Sequence, residues 1–486
     1  INTGIDGAHV FSSGKNMGTF KAVGFPDIDL LTTLTQHTAD THFQMIKNAM
    51  INGLPVAGPL IHAIPNQEDL LCFATKKRYS DRLLAPHIVG YCQDGIGVSG
   101  IELSCESTLS HYSGSTTVTY EIGGGKQHLY GVKPQITDTS QRSVGGVALT
   151  LDSSIQGVVE DTAADILTKG AVVVLDPYSG DIVACASFPS YQPHTLSVSL
   201  QENNGALMNR ALSLYDCGSV FKVITAAAAL ENGISHNREY VCDGSIDVGG
   251  TVFHCHNRTG HGALDMTQAF AYSCNTYFIQ LAQDIGADAL YTLANAFGFN
   301  RKITLAEGLA SANPLLPTRD DLERPAALAN LSFGQGYLMT TPIHIAQIIA
   351  TIVNDGAMPS VNVLQWYVDE NGSITAIDEQ PSYTIVTEST ANTLRHMMRA
   401  VVESGTGKSA MPSLCTAAGK TGTAETGQIS SNGAVVQSWF AGYFPAEHPQ
   451  YVVVVLAEDA NATNEQAASI FCEISNNLYK ASKGRE

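Results

Sequence analysis

The apolar positions of this chain change their spacing along its length, and the changes mark the elements. Ala171-Val-Val-Val-Leu175 is an unbroken apolar run closed by Asp176 and the turn residues Pro177-Tyr-Ser-Gly180, and a second apolar run occupies 182–187. Two such runs with turn chemistry between them predict an antiparallel hairpin. Residues 435–444 and 451–457 read as two more strands. Residues 147–152 predict a short strand, after which Asp152 or Ser153 caps a helix to about Thr168. The Ala-rich run 223–230, stopped by Asn232-Gly233, predicts a buried helix that begins near Ser219. An amphipathic helical region over 264–286 is interrupted at Ser273-Cys274-Asn275, because Ser and Asn compete for backbone hydrogen bonds.

Upstream of about residue 147 the texture differs. Short alternating runs rich in Gly, Ser and Thr, with one helix expected over 38–51, predict an extended, β-rich accessory module over 1–147, followed by a second domain over 148–486. His87, His111 and His128 stand isolated there and read as packed or solvated histidines.

Composition narrows the function classes. With 486 residues, 44% hydrophobic and 15% charged, the chain buries a sizeable core. Its net charge of -19 argues against a nucleic-acid partner and against docking on anionic lipid through a basic face. Ten cysteines, thinly spread, do not make a disulfide scaffold. No window reaches the roughly 18 to 20 apolar residues of a membrane span, so any anchor is expected upstream of Ile1.

Three short segments carry chemistry. Ser219 and Lys222 lie three apart, a spacing that stacks both side chains on one helical face. A serine hydroxyl needs a base to attack at neutral pH, and Phe221, Val223 and Ile224 supply the apolar surroundings that favour an uncharged lysine. Ser273 and Asn275 offer a proton relay and an amide with both donor and acceptor, although a helix cap alone would explain the triplet. In Gly419-Lys420-Thr421-Gly422-Thr423 the glycines allow close approach to a strand edge, while Lys420, Thr421 and Thr423 suit a carboxylate. A phosphate loop is excluded, because Leu414 occupies its first glycine position and strands follow. Cys242, Cys255, His256 and His261 offer thiolate and imidazole ligands for zinc. Their spacing fits no standard pattern; a Cys242–Cys255 disulfide or plain reduced thiols are the other readings, and no cofactor is called for.

Ser219-x-x-Lys222, Ser273-x-Asn275 and Lys420-Thr421-Gly422, in that order, resemble the three motifs of penicillin-binding proteins and serine β-lactamases. Leu149-Thr-Leu-Asp152 with Gln156, Phe188-Pro-Ser190, Gly334-Gln-Gly336, Thr341-Pro342, Gly405-Thr-Gly407 and Trp439-Phe-Ala-Gly442 look like landmarks of the class B, monofunctional transpeptidases. His87-Ile-Val-Gly-Tyr91 and Gly100-Ile-Glu102 are similar to that class's dimerisation or pedestal module. The resemblance implies an α/β domain with a five-stranded antiparallel sheet covered by helices, the serine helix lying between the sheet and an all-helical part.

The same resemblance implies a Ser219 acyl-enzyme formed from a peptidoglycan stem peptide ending in D-alanyl-D-alanine, and acylation of Ser219 by β-lactams. Lys222 would be the base and Ser273 the relay to the leaving amine. Asn275 would contact the substrate amide; Lys420, Thr421, Gly422 and Thr423 would receive the carboxylate, with the backbone N–H groups of Ser219 and Thr423 as the oxyanion hole. It also implies a membrane-anchored protein on the extracytoplasmic face, with morphogenetic or division proteins and glycosyltransferases as partners. Two features depart from the pattern: Cys217 stands where proline is usual, and the arginine-glycine start of the upstream module is missing. A β-lactamase or a β-lactam sensor would use the same serine, but the Glu-x-x-Leu-Asn pattern of the class A enzymes is absent between Asn275 and Lys420.

Overall fold

In the computed structural model, the described residues are 5–12, 15–23, 27–29, 62–63, 70–76, 79, 82–93, 95–112, 116–119, 135–138, 145–202, 204–369, 371–377, 382–430, 433–461 and 466–483. The helix expected over 38–51 and His128 lie outside them. The upstream region is strand-rich as expected: Asp27–Asp29, Lys15–Val23, Ile5–Ser12, Leu70–Lys76 and His62–Ala63 form one antiparallel sheet in that spatial order. Further along, the described residues turn helical, at Pro86–Val89, Gly100–Ser104 and Glu106–His111. Ile88, Ile101 and Leu109 from this stretch pack into the same core as the central sheet. His87 is buried there, its Nε2 2.6 Å from the Ala206 carbonyl oxygen.

The central element is a five-stranded antiparallel sheet. Its spatial order is Ile182–Phe188, Gly170–Leu175, Tyr451–Asn461, Gly433–Phe444, Ala418–Ser430. The unbroken apolar runs now have a reason: both faces are covered, so both sets of alternating side chains are core. Val172, Val174, Val453 and Val455 face the helices Ser153–Ala164 and Gln466–Lys483, whereas Val173, Leu175, Val452 and Val454 belong to the core on the opposite face, with the helix Pro342–Val353. Asp152 caps the first helix as expected, accepting from Ser154 and Ile155 N–H; the helix ends at Ala164, short of Thr168. On the edge strand, Gln156 Oε1 accepts from Cys185 N–H at 2.7 Å and Gln156 Nε2 donates to Cys185 O at 3.1 Å. That side chain supplies the backbone partner an edge strand otherwise lacks.

The serine segment differs from its expected form. Gly218–Phe221 is a 3₁₀ turn, and the α-helix starts only at Lys222, running Lys222–Glu231. At three residues per turn, positions i and i+3 eclipse, so Ser219 and Lys222 still leave the backbone on one side. Among the described residues no helix is long and apolar enough to cross a membrane.

Candidate active site

The serine turn is wedged between two backbones. Gly218 adopts φ +57, and a side chain there would lie 2.8 Å from Thr423 O. Across the contact, a Cβ on Gly422 would meet Val220 Cγ2 at 2.8 Å. These glycines let the strand Ala418–Ser430 reach the turn, and the Trp439 indole N–H fixes the neighbouring strand to it by donating to Asp216 O at 3.0 Å. On the far side Gly218 N–H donates to Gly334 O at 3.0 Å. Gly334, at φ +85, has no room for a side chain, since a Cβ would sit 1.8 Å from Gly218 O. Gly334→Ala therefore combines left-handed strain with a backbone clash and is expected to cost about 2 to 4 kcal/mol. Chemical denaturation checks this; an unchanged midpoint would show that the Gly218–Gly334 contact is not rigid. Cys217, where proline is usual, is wholly buried, and burial pushes its thiol up. It is packing and not a second nucleophile.

A cleft of about 630 Å³ opens beside the turn, lined by Ser219, Ser273, Asn275, Thr421, Gly422 and Thr423. It is within the size range of small-molecule sites. Lys222 and Lys420 lie beneath it, both with no exposed surface. Lys222 Nζ lies 2.7 Å from Ser273 O, 3.1 Å from Ser273 Oγ and 2.7 Å from Asn275 Oδ1. Lys420 Nζ reaches the same Ser273 Oγ from the sheet at 3.0 Å, and Thr421 O at 3.0 Å. Ser273 sits at φ +52, an unusual conformation for a residue with a side chain, between Ala271, which ends one helix, and Asn275, which begins the next.

Two ammonium groups cannot share one buried hydroxyl without strong repulsion. Burial pulls the Lys222 amine down to about 7, opposed by the Cys274 and Cys255 thiols. Burial, and then the charge of Lys222, hold Lys420 well below the usual lysine range. With Lys222 neutral the contacts close: its two N–H bonds go to Ser273 O and Asn275 Oδ1, its lone pair accepts the Ser273 hydroxyl, and that oxygen accepts from Lys420. The Lys222 amine is therefore engaged with Ser273 and Asn275, while Ser219 is half-buried at the cleft wall. Catalytic hydrogen bonds are often long before substrate arrives.

The motif residues thus gather from a 3₁₀ turn, an interhelical turn and a sheet edge. The cleft also takes in Thr406, whose Oγ1 lies 2.7 Å from Thr421 Oγ1, and Asn330 and Phe333. Thr406 stood in the Gly405-Thr-Gly407 landmark without a role; Asn330 and Phe333 carry no sequence signal. The four zinc candidates separate. Cys242, Cys255 and His261 come together, joined by Cys274, whereas His256 lines the cleft. No disulfide links Cys242 to Cys255: both are free.

A family model described as "Penicillin binding protein transpeptidase domain" matches residues 170–476. The chain belongs to the penicillin-binding protein transpeptidase family. Among its relatives, Stage V sporulation protein D of Bacillus subtilis is 28% identical over 416 residues, covering 82% of this chain and 62% of that protein. The chain thus spans less than two thirds of that relative's length. Peptidoglycan D,D-transpeptidase PbpA of Mycobacterium tuberculosis is 30% identical over 364 residues, covering 70% of this chain and 72% of that one. The crystal structure of penicillin-binding protein 3 from the same organism, complexed with ampicillin, superposes with a TM-score of 0.70 at 26% identity, covering 87% of this chain and 92% of that one. The family and the five-stranded antiparallel fold are those the three motifs implied.

Proposed function

We propose that this protein is a cell-wall D,D-transpeptidase that forms an acyl-enzyme on Ser219. The observation that carries this reading is the convergence of Lys222 and Lys420, from separate elements, on one Ser273 hydroxyl beneath the cleft that Ser219 lines. Ser219 Oγ attacks the penultimate D-alanine carbonyl as its proton passes to neutral Lys222. The developing oxyanion is held by the backbone N–H groups of Ser219 and Thr423. Ser273, touching both lysines, delivers the proton to the departing D-alanine amine. An amine of a neighbouring stem peptide then takes the acyl group, restoring the serine. Asn275 contacts the substrate amide. Lys420, Thr421 and Thr423 receive the terminal carboxylate, whose charge draws a proton back onto Lys420.

Stem peptides lie outside the cytoplasmic membrane, so the reaction places the protein on that face, where glycosyltransferases and morphogenetic or division proteins would meet it. The accessory module over 1–147 would hold the transpeptidase domain over 148–486 toward its substrate.

Among the described residues lining the cleft none is an Asp or Glu that could activate water for hydrolysis. We therefore expect one β-lactam per chain to remain bound as a stable adduct, with little drug consumed beyond that equivalent. Intact-mass spectrometry with drug turnover followed in parallel tests it. Repeated turnover would make the protein a hydrolase; a stable adduct with no D-alanine release or cross-linking from a pentapeptide donor and amine acceptor would leave a sensor.

A further inference from the structure

We infer that Cys242, Cys255, His261 and Cys274 hold one zinc ion behind the Ser273-Cys274-Asn275 turn. Their ligand atoms all lie within 4.8 Å of one another. His261 Nδ1 is 3.5 Å from the sulfurs of both Cys242 and Cys255, and the sulfurs of Cys255 and Cys274 are 3.9 Å apart. A tetrahedral zinc with usual bond lengths sets its sulfur–nitrogen edges at about 3.6 Å and its sulfur–sulfur edges at about 3.8 Å. Those three edges match, and the other three are within 4.8 Å, so binding needs at most a shift of about 1 Å in a side chain. A disulfide would use two sulfurs and leave a third thiol and an imidazole aimed at the same point. A set of three thiolates and one imidazole selects zinc over the hard cations.

The surroundings are built for the site. All three cysteines are buried to 2% exposure or less. Cys242 ends the strand Tyr240–Cys242, Cys255 follows the strand Thr251–His254, and Cys274 precedes the helix Asn275–Ala296, so the ligands come from separate segments. The loops close through glycine: a Cβ on Gly260, at φ +84, would lie 2.3 Å from Cys242 O, and one on Gly244, at φ +89, 2.1 Å from Arg258 O. Thr276 Oγ1, 3.4 Å from Cys274 Sγ, is placed to donate to a metal-bound thiolate.

Zinc there fastens the turn that the proposed chemistry uses. Cys274 lies between Ser273 and Asn275, and Asn275 Nδ2 donates at 3.3 Å to the carbonyl oxygen of His254, the residue before Cys255. The metal site itself does not depend on the proposed reaction, and its test does not read activity.

The full chain, purified without chelator, is expected to carry about one zinc by mass spectrometry of the elements. Cobalt(II) exchanged into it should show the intense visible bands of a tetrahedral thiolate site. Cys242→Ser and His261→Ala should each lower zinc affinity by about a hundredfold or more, whereas His256→Ala, which removes only a group 3.9 Å from Cys255 Sγ, should retain the bound zinc. A metal-free chain with free or disulfide-bonded thiols, or another metal in place of zinc, overturns the assignment. So does a His256→Ala chain that loses zinc while His261→Ala retains it. Should the ligand variants fail to fold, zinc content and the cobalt spectrum of the unmodified chain decide.

Discussion

Replacing Ser219 with alanine is expected to abolish covalent labelling by a fluorescent penicillin while leaving the fold intact. The loss should be complete, because Ser219 is the proposed nucleophile and the other motif hydroxyls are already engaged. Ser273 Oγ is engaged by both lysines and Thr421 Oγ1 by Thr406. Stability should change by no more than about 0.5 kcal/mol, as for a substitution that removes no buried partner. Labelling is read by in-gel fluorescence and by the mass of the intact chain. An adduct that persists in Ser219→Ala, mapped to Ser438 or Thr423, would move the nucleophile elsewhere in the cleft. A preparation that melts early would show instead that the hydroxyl supports the 3₁₀ turn.

Most of the scaffold was legible because its strands are covered on both faces. A run such as 171–175 has no polar alternation, so it reads as a buried strand, and its turn residues give the hairpin. The cap at Asp152 was legible for the same local reason. The 3₁₀ turn at Gly218–Phe221 was not, because nothing in its composition separates a tight first turn from an α-helical one. What sets it is tertiary: Gly334 and Thr423 press on Gly218 from two sides.

The site divides similarly. Ser219, Lys222, Ser273 and Lys420 were visible as residue types at telling spacings. Their convergence was not, since residues 222, 273 and 420 meet only through the packing of the serine helix, the interhelical turn and the sheet edge. Cys274 shows the limit most plainly. Read along the chain it is the middle of a triplet; in space its sulfur belongs with Cys255, 19 residues earlier. His256 fails in the opposite sense, being adjacent to Cys255 in sequence yet outside the cluster, where it lines the cleft.

The lysine pair makes the other large prediction, and its sign can be worked out. Lys222 is held near 7 by burial, and in the proposed mechanism it is the uncharged amine that takes a proton from Ser219. Raising pH through that value increases the active form, so the second-order rate of acylation by a β-lactam should climb about tenfold per pH unit below 7 and flatten above it. The groups facing the amine are Lys420 from the sheet, Ser273 and Asn275 from the turn, and the Cys274 and Cys255 thiols behind it. Burial, and then the charge of Lys222, hold Lys420 well below the usual lysine range, so the two amines titrate together and the inflection belongs to the pair. Lys222→Met keeps most of the buried volume and removes the amine. Acylation should then slow by about 10² to 10⁴-fold, the usual worth of a positioned base, and the inflection near 7 should vanish. Stopped-flow labelling across pH 5.5 to 8.5, a range of about 1.5 units either side of that value, measures both effects. A wild-type rate that falls as pH rises would mean the ammonium form is the active one. An inflection that survives in Lys222→Met would assign the proton to another group in the cleft.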